Sequence, residues 1–513
     1  MPFLHAFIDA ETYCDPDAAL SRLIETAKLT DEDRRAICAT GADLVRAIRA
    51  SKSPGLMEVF LAEYGLSTDE GVALMCLAEA LLRVPDADTI DALIEDKIAP
   101  SDWGRHLGRS SSSLVNASTW ALMLTGKVLD DDAPGPANAI RSAIKRLGEP
   151  VIRTATQRAM KEMGRQLVLG ESITSAMSRA AGMETKGYTY SYDMLGEAAR
   201  TEADAARYHL SYSRAISAIA EACTSDDTRA NPGISVKLSA LHPRYEVAQE
   251  VRVMRDLVPR LRSLAMLAKS AGMGLNVDAE EADRLSLSLD VIDAVLSEPA
   301  LAGWDGFGVV VQAYGPRAAL VIDTLYGMAQ RHDRKIMVRL VKGAYWDTEI
   351  KRAQVEGMKG FPVFTRKAAT DISYISNARK LLGMTDRIYP QFATHNAHTV
   401  AAILHMADAQ PYEFQRLHGM GQLLYDELGM EDPVPLRIYA PIGSHRDLLP
   451  YLVRRLLENG ANSSFVNRFL DRKLEATALI QDPHLATEQH RRRRHRQIPV
   501  PGQLYREAHP AWT

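Results

Sequence analysis

The chain has 513 residues, 46% of them hydrophobic, and its 61 Lys and Arg against 65 Asp and Glu leave a formal net charge of −4 at pH 7. That length exceeds one ordinary domain and carries enough apolar content for a sizeable core, while the balanced charge supplies no field to draw in nucleic acid, so no nucleic-acid partner is expected. No run approaches the roughly 18 uninterrupted apolar residues of a membrane span, for even GVALMCLAEALL is broken by Glu79, and MPFLHAFIDAETYCDPD lacks the basic start and apolar core of a secretory signal.

In chain order, residues 1–50 read as a helical arm and 51–180 as a helical scaffold domain, rich in Ala, Leu, Arg and Glu at amphipathic spacing. Breaks fall at Ser53-Pro54-Gly55, Pro85, Pro100 and the acidic loop from Asp130 to Pro136. The cysteines Cys14, Cys38, Cys76 and Cys223 show no CxxC spacing, which suits reduced structural thiols in a cytoplasmic protein. Contact with the inner membrane is at most peripheral.

Residues 181–475 change pattern to short apolar runs, each followed by a helical period. The eight runs are Tyr188 to Leu195, Ile234 to Leu241, Gly274 to Ala279, Phe307 to Ala313, Ile336 to Lys342, Tyr389 to Thr394, Tyr412 to His418 and Arg437 to Ile442. Eight alternating βα units predict an α/β fold, a (βα)8 TIM-like barrel preceded by an all-helical N-terminal region. A doubly wound open sheet is the alternative, but GMGLNV and GMGQLL both lack the third glycine of a dinucleotide fingerprint. Residues 476–513 read as a polar tail, with HRRRRHR as a solvated surface segment.

Active sites of such barrels form at the C-terminal ends of the strands, so polar residues late in each run are the candidates. Lys237 sits inside ISVKLSAL, Asp278 ends GLNVD, Gln312 ends GVVVQ, Arg339 and Lys342 punctuate MVRLVK, and Thr394, His395 and Asn396 follow YPQFA. Burying such charges costs several kcal/mol unless they are paired, so Lys237, Asp278 and Arg339 should have partners or a ligand. One of them alone would equally suit a structural ion pair; agreement at five strand ends favours a site. In LLPYLVRRLLENGANSSF, Tyr451, Arg454, Arg455 and Glu458 share one helical face, and two adjacent arginines near a barrel mouth suit a carboxylate or phosphate. A solvated surface face is the other reading of that helix. His395 and His398 lack the neighbouring ligands of a metal site, and no metal is expected.

These stretches closely resemble the proline dehydrogenase domain of the bifunctional proline utilization A proteins. The motifs are GISVKLSALHPRYE, NVDAEEADRL, RLVKGAYWDTEIKRAQ, YPQFATHNAHT, LHGMG, RIYAPIG and YLVRRLLENGANSSFVNR, and the similarity runs from about residue 57 to 500. The resemblance implies a distorted barrel that holds FAD noncovalently, oxidises L-proline to Δ1-pyrroline-5-carboxylate by hydride transfer to flavin N5, and passes electrons to ubiquinone or a similar membrane quinone. It implies Lys237, Asp278, Leu417, Tyr439, Tyr451, Arg454 and Arg455 as substrate residues. For the flavin it implies Gln312, Arg339, Lys342, Gly343, Ala344, Trp346, Thr365, Lys367, Thr394, His395, Asn396 and Glu458, with Tyr345 behind them.

No base stands out among the implied residues, so activity is expected to rise with pH. The family's aldehyde dehydrogenase half is not visible, so NAD use and pyrroline-carboxylate oxidation are not expected of this chain. Dimerisation through residues 1–50 is open. Two other classes remain: a proline-responsive or membrane-associating regulatory module with a defective flavin site, and a lyase using Lys237 as a Schiff base.

Overall fold

The computed structural model describes residues 5–50, 168–428, 434–443, 451, 474–489 and 494–508. All eight apolar runs form strands: β1 Thr189–Asp193, β2 Gly233–Val236, β3 Leu275–Val277, β4 Phe307–Gln312, β5 Ile336–Val341, β6 Ile388–Ala393, β7 Glu413–Leu417 and β8 Leu436–Pro441. They close in sequence order into a parallel barrel, with β8 returning to β1, so the fold is the (βα)8 barrel and not the open sheet. Short strands bounded by turns, with helices long enough to cross back over them, can satisfy every edge only by closing.

The second run departs from expectation. Only Gly233–Val236 is strand, and Leu238–Leu241 turns into a short helix, α6, once the earlier helices are counted. Lys237 is therefore the residue between strand and helix rather than part of an apolar strand. LSAL has no β-branched residue, and its leucines and alanine favour helix once strand pairing stops at Val236.

The helices before it are α1 Ala6–Ala10, α2 Pro16–Ala27, α3 Asp31–Ala50, α4 Ile173–Glu184 and α5 Glu202–Ala220. After it come α7 Glu250–Ser270, α8 Leu285–Leu296, α9 Ala318–Arg331, α10 Trp346–Val355, α11 Lys367–Leu382, α12 Ala397–Ala407 and α13 Gln422–Leu428. Capping follows the sequence: Asp15 accepts from Asp17 and Ala18, and Ser172 with Ser175 and Thr201 with Asp204 form reciprocal boxes.

The N-terminal arm lies on its own barrel. Leu20 and Leu23 of α2 pack with Phe364, Ala369 and Ile372, and Ser376 Oγ donates to the Leu23 carbonyl at 2.6 Å. Asp33 of α3 meets His405 Nε2 at 2.9 Å. Helix α11 thus has neighbours on two sides, which is why 11 of its 16 residues are buried. The C-terminal stretch likewise docks: Arg34 pairs with Asp482 at 3.2 Å, and the His495 amide donates to Thr365 Oγ1 at 2.9 Å.

Inside the barrel the usual apolar layers are replaced by polar ones. Near the N-terminal end, Glu413 pairs with Arg437 at 2.9 Å and accepts from Gln391 at 3.0 Å and Gln415 at 2.7 Å, while Asn276 donates to Gln391 at 2.9 Å. Register explains the cluster: Gln391 stands beside Glu413 and Gln415 beside Arg437, so all face one way. The bonds satisfy one another, as buried ions require.

Candidate active site

One layer higher, toward the C-terminal strand ends, lies a second charged layer. Lys237 Nζ donates to Asp193 Oδ2 at 2.9 Å and Asp278 Oδ2 at 3.0 Å, and stands 3.4 Å from the Tyr439 hydroxyl. That hydroxyl is 2.6 Å from Asp193 Oδ2 and 2.9 Å from Asp278 Oδ2, so its single proton is shared between two carboxylates. Arg339 Nη1 donates to Asp278 Oδ1 at 3.1 Å and Ser235 Oγ at 3.0 Å, and Nη2 donates to Ser191 Oγ at 3.1 Å. Its guanidinium lies 5.2 Å from the Tyr439 ring centroid, a cation–π distance.

Two cations and two anions make this layer neutral. Burial by itself would strip the proton from Lys237, yet Asp193, Tyr439 and Asp278 outweigh it and hold its pKa well above the ordinary lysine value. Burial likewise drives the Tyr439 hydroxyl well above its usual value, with the two carboxylates adding to the effect. One donor is left over. Arg339 Nε is buried and has no hydrogen-bond partner among the described residues, an arrangement that costs about 1–3 kcal/mol unless something accepts from it.

Asp193 does two things at once. Its Oδ2 serves the charged layer, while Oδ1 accepts from the Leu195 amide at 3.2 Å. That bond secures a loop in which Leu195 (φ 37°) and Ala198 (φ 50°) both occupy the left-handed region, sparsely used by residues with side chains. The Ala198 amide is held in turn by Ser239 Oγ at 3.0 Å.

Around the mouth, the other candidate residues gather on the β4 to β7 side. Gln312 Nε2 donates to the Glu280 carbonyl at 2.8 Å. Lys342, just past β5, and Lys367, the first residue of α11, both bind the Asp371 carboxylate. Gly343 has φ 134°, and a Cβ there would strike the Tyr314 ring; half-buried Ala344 follows it. Trp346 Nε1 donates to the Phe364 carbonyl at 2.8 Å, fixing the loop that carries Thr365.

Past β6, Thr394 Oγ1 accepts from the Asn396 amide at 3.2 Å, and Asn396 caps α12 through the Thr399 amide at 3.0 Å. His395 Nε2 accepts from the Leu417 amide at 3.0 Å, so the neutral ring carries its proton on Nδ1. Leu417, the last residue of β7, is the register partner of Tyr439 in β8. Tyr451 is buried. Arg454, Arg455 and Glu458 lie outside the described residues.

Four residues of this arrangement escape the sequence reading: Ser191, Asp193, Ser235 and Asp371. Asp193 could have been found, since it is the last polar residue of TYSYD, the position by which the other runs were read. Asp371 had a weaker signal in its i,i+4 spacing from Lys367. The serines had none. Among the described residues no group of His, Cys, Asp and Glu is arranged to hold a metal ion, and no helix is long and apolar enough to cross a membrane.

Comparison with known proteins places these residues in context. A family model described as proline dehydrogenase matches residues 176–468. Models described as the DNA-binding domain of proline dehydrogenase and the proline utilization A proline dehydrogenase N-terminal domain match residues 56–167 and 4–49. The first of these two bears on the expectation of no nucleic-acid partner, and its residues lie outside the described ones. The Bifunctional protein PutA of Salmonella typhimurium is 51% identical over 511 residues, covering 95% of this chain and 39% of that protein. Proline dehydrogenase 1 of Bacillus subtilis is 28% identical over 307 residues, covering 59% and 88%. The crystal structure of a mutant Bradyrhizobium japonicum proline utilization A superposes with a TM-score of 0.75 at 51% identity, covering 96% of this chain and 50% of that one. The chain thus spans well under half the length of the PutA relative from Salmonella.

Proposed function

Because the chain belongs to the proline dehydrogenase family, we propose that it oxidises L-proline to Δ1-pyrroline-5-carboxylate with noncovalently bound FAD and passes the electrons to a membrane quinone at a peripheral membrane contact. The observation that carries this reading is the neutral, buried layer of Lys237, Asp193, Asp278, Arg339 and Tyr439 at the C-terminal end of the barrel.

The residues present fit a flavin. Arg339 Nε is a buried donor lacking an acceptor among the described residues. Lys342 and Lys367 offer two ammonium groups to phosphate oxygens. Gln312, Ala344, Trp346, Thr365, Thr394, His395, Asn396 and Glu458 would complete that seat. When bound, the flavin supplies the hydride acceptor at its N5.

The chain's own residues do the rest. Lys237 stays an ammonium ion and, with Arg454 and Arg455, holds the proline carboxylate; two or three cations on one carboxylate fix the ring's orientation. Asp278 together with Asp193 offsets the charge of Lys237 and Arg339, so the site stays balanced when empty. Tyr439 and Leu417, side by side on β8 and β7, wall the ring with Tyr451 and exclude water. The Nε2 lone pair of His395 is already used by the Leu417 amide, so it is no base for the proline ammonium proton. That proton goes to solvent, and the rate rises with pH.

Lys237 Nζ is held between the Asp193 and Asp278 carboxylates, which favour its ammonium form and argue against the Schiff-base lyase, which needs a free amine. The test is the visible spectrum of the purified protein under anaerobic L-proline. Bleaching of a flavin band supports the assignment. A colourless protein that takes up no added FAD defeats it.

A further inference from the structure

We propose that Asp371 is a positioning residue that sets the ammonium groups of Lys342 and Lys367 as a paired seat for the phosphate oxygens of a dinucleotide flavin, an inference that rests on the flavin reading above. Asp371 stands in the second turn of α11. One oxygen, Oδ1, binds Lys342 Nζ at 2.5 Å, and the other, Oδ2, binds Lys367 Nζ at 2.7 Å. Lys342 comes from the loop after β5 and Lys367 from the first turn of α11, so a single carboxylate ties two separate elements together.

The layering is directional. The Asp371 side chain is 15% exposed, Lys342 25% and Lys367 41%, so the anion lies beneath and the cations reach outward. Among these three groups, one carboxylate lies beneath two ammonium groups. The same end of α11 adds the partial positive charge of a helix start, and its N-cap residue, Arg366, provides no side-chain cap for the first amides. Burial pushes nearby His398 down to about 4, which keeps it neutral. Burial would favour a protonated Asp371, but the two lysines outweigh it and hold the carboxyl ionised far below its ordinary range.

Simple neutralisation and positioning predict opposite signs. If Asp371 only cancelled charge, removing its charge would leave two full cations and tighten phosphate binding. If it positions the lysines, removal lets two like charges separate and the seat is lost, although net charge has risen. Riboflavin separates this from general damage, since it carries the same ring without phosphate.

The full chain is stripped of flavin by dialysis and titrated with FAD and with riboflavin, following flavin fluorescence. Asp371→Asn is expected to weaken FAD by about tenfold or more while leaving riboflavin unchanged. Lys367→Gln should weaken FAD selectively as well, and adding Asp371→Asn to it should cost little more. FAD bound equally or more tightly by Asp371→Asn overturns the inference, as does an equal loss of riboflavin. A wild-type chain that binds neither flavin overturns the proposed function itself, a separate result.

Discussion

The charged layer at the barrel mouth should be energetically coupled, and a double-mutant cycle on Lys237 and Asp193 measures it. The wild-type layer balances Lys237 and Arg339 against Asp193 and Asp278 within contacts of 2.9–3.1 Å. Lys237→Met leaves one unit of negative charge buried with the Asp193 side chain fully enclosed, and should destabilise the fold by about 3–5 kcal/mol. Asp193→Asn leaves one unit of positive charge but keeps Oδ1 for the Leu195 amide, and should cost a similar, roughly 3 kcal/mol. The double variant restores neutrality and forfeits only hydrogen bonds, so its total should be about 1–2 kcal/mol. The coupling is then at least about 4 kcal/mol. Urea midpoints by far-ultraviolet circular dichroism give the four corners, with equal slopes as the check on comparable unfolding. Additivity within roughly 0.5 kcal/mol would refute the claim that these groups form one electrostatic unit.

Three further outcomes follow from the geometry. Arg437→Met strands Glu413 at the barrel floor and should cost about 3–5 kcal/mol of stability by urea melt, while the KM for proline stays unchanged, because the floor lies below the charged mouth. Gly343→Ala forces a Cβ onto the Tyr314 ring at φ 134°, adding about 1–3 kcal/mol of strain; the ratio of flavin to protein absorbance on purification should fall. Stability should drop as pH falls below about 6.5: burial pushes His398 down to about 4 and His418 to about 3, so the unfolded chain takes up protons that the native one refuses, worth up to roughly 3 kcal/mol for His398. Glu280, raised to about 7 by burial, works the other way, its contribution being present at low pH and lost as pH rises through 7. Urea midpoints from pH 4.5 to 8.5, with His398→Asn flattening the acid limb, check both signs.

The eight strands were legible because a closed parallel barrel repeats one local unit, and apolar runs at that period have few other ways to bury both faces. Lys237, Asp278, Arg339 and Lys342 were legible too, because a charge in or beside an apolar run is conspicuous in one dimension. Their partners were not. Asp193 and Tyr439 meet Lys237 only because β1 and β8 are joined by closure, and Ser191 and Ser235 become donors' targets only once Arg339 reaches across the barrel. Asp371 looks like an ordinary helix residue until the loop after β5 brings Lys342 onto it. The short helix at Leu238 illustrates the same limit, since strand pairing ending at Val236, not propensity alone, decides where Lys237 stands. The strand period and the charges set within or beside apolar runs, Lys237, Asp278, Arg339 and Lys342, are written in local composition. Tertiary structure alone decided which charges neutralise which, because pairing energy falls with a distance that only the folded barrel sets.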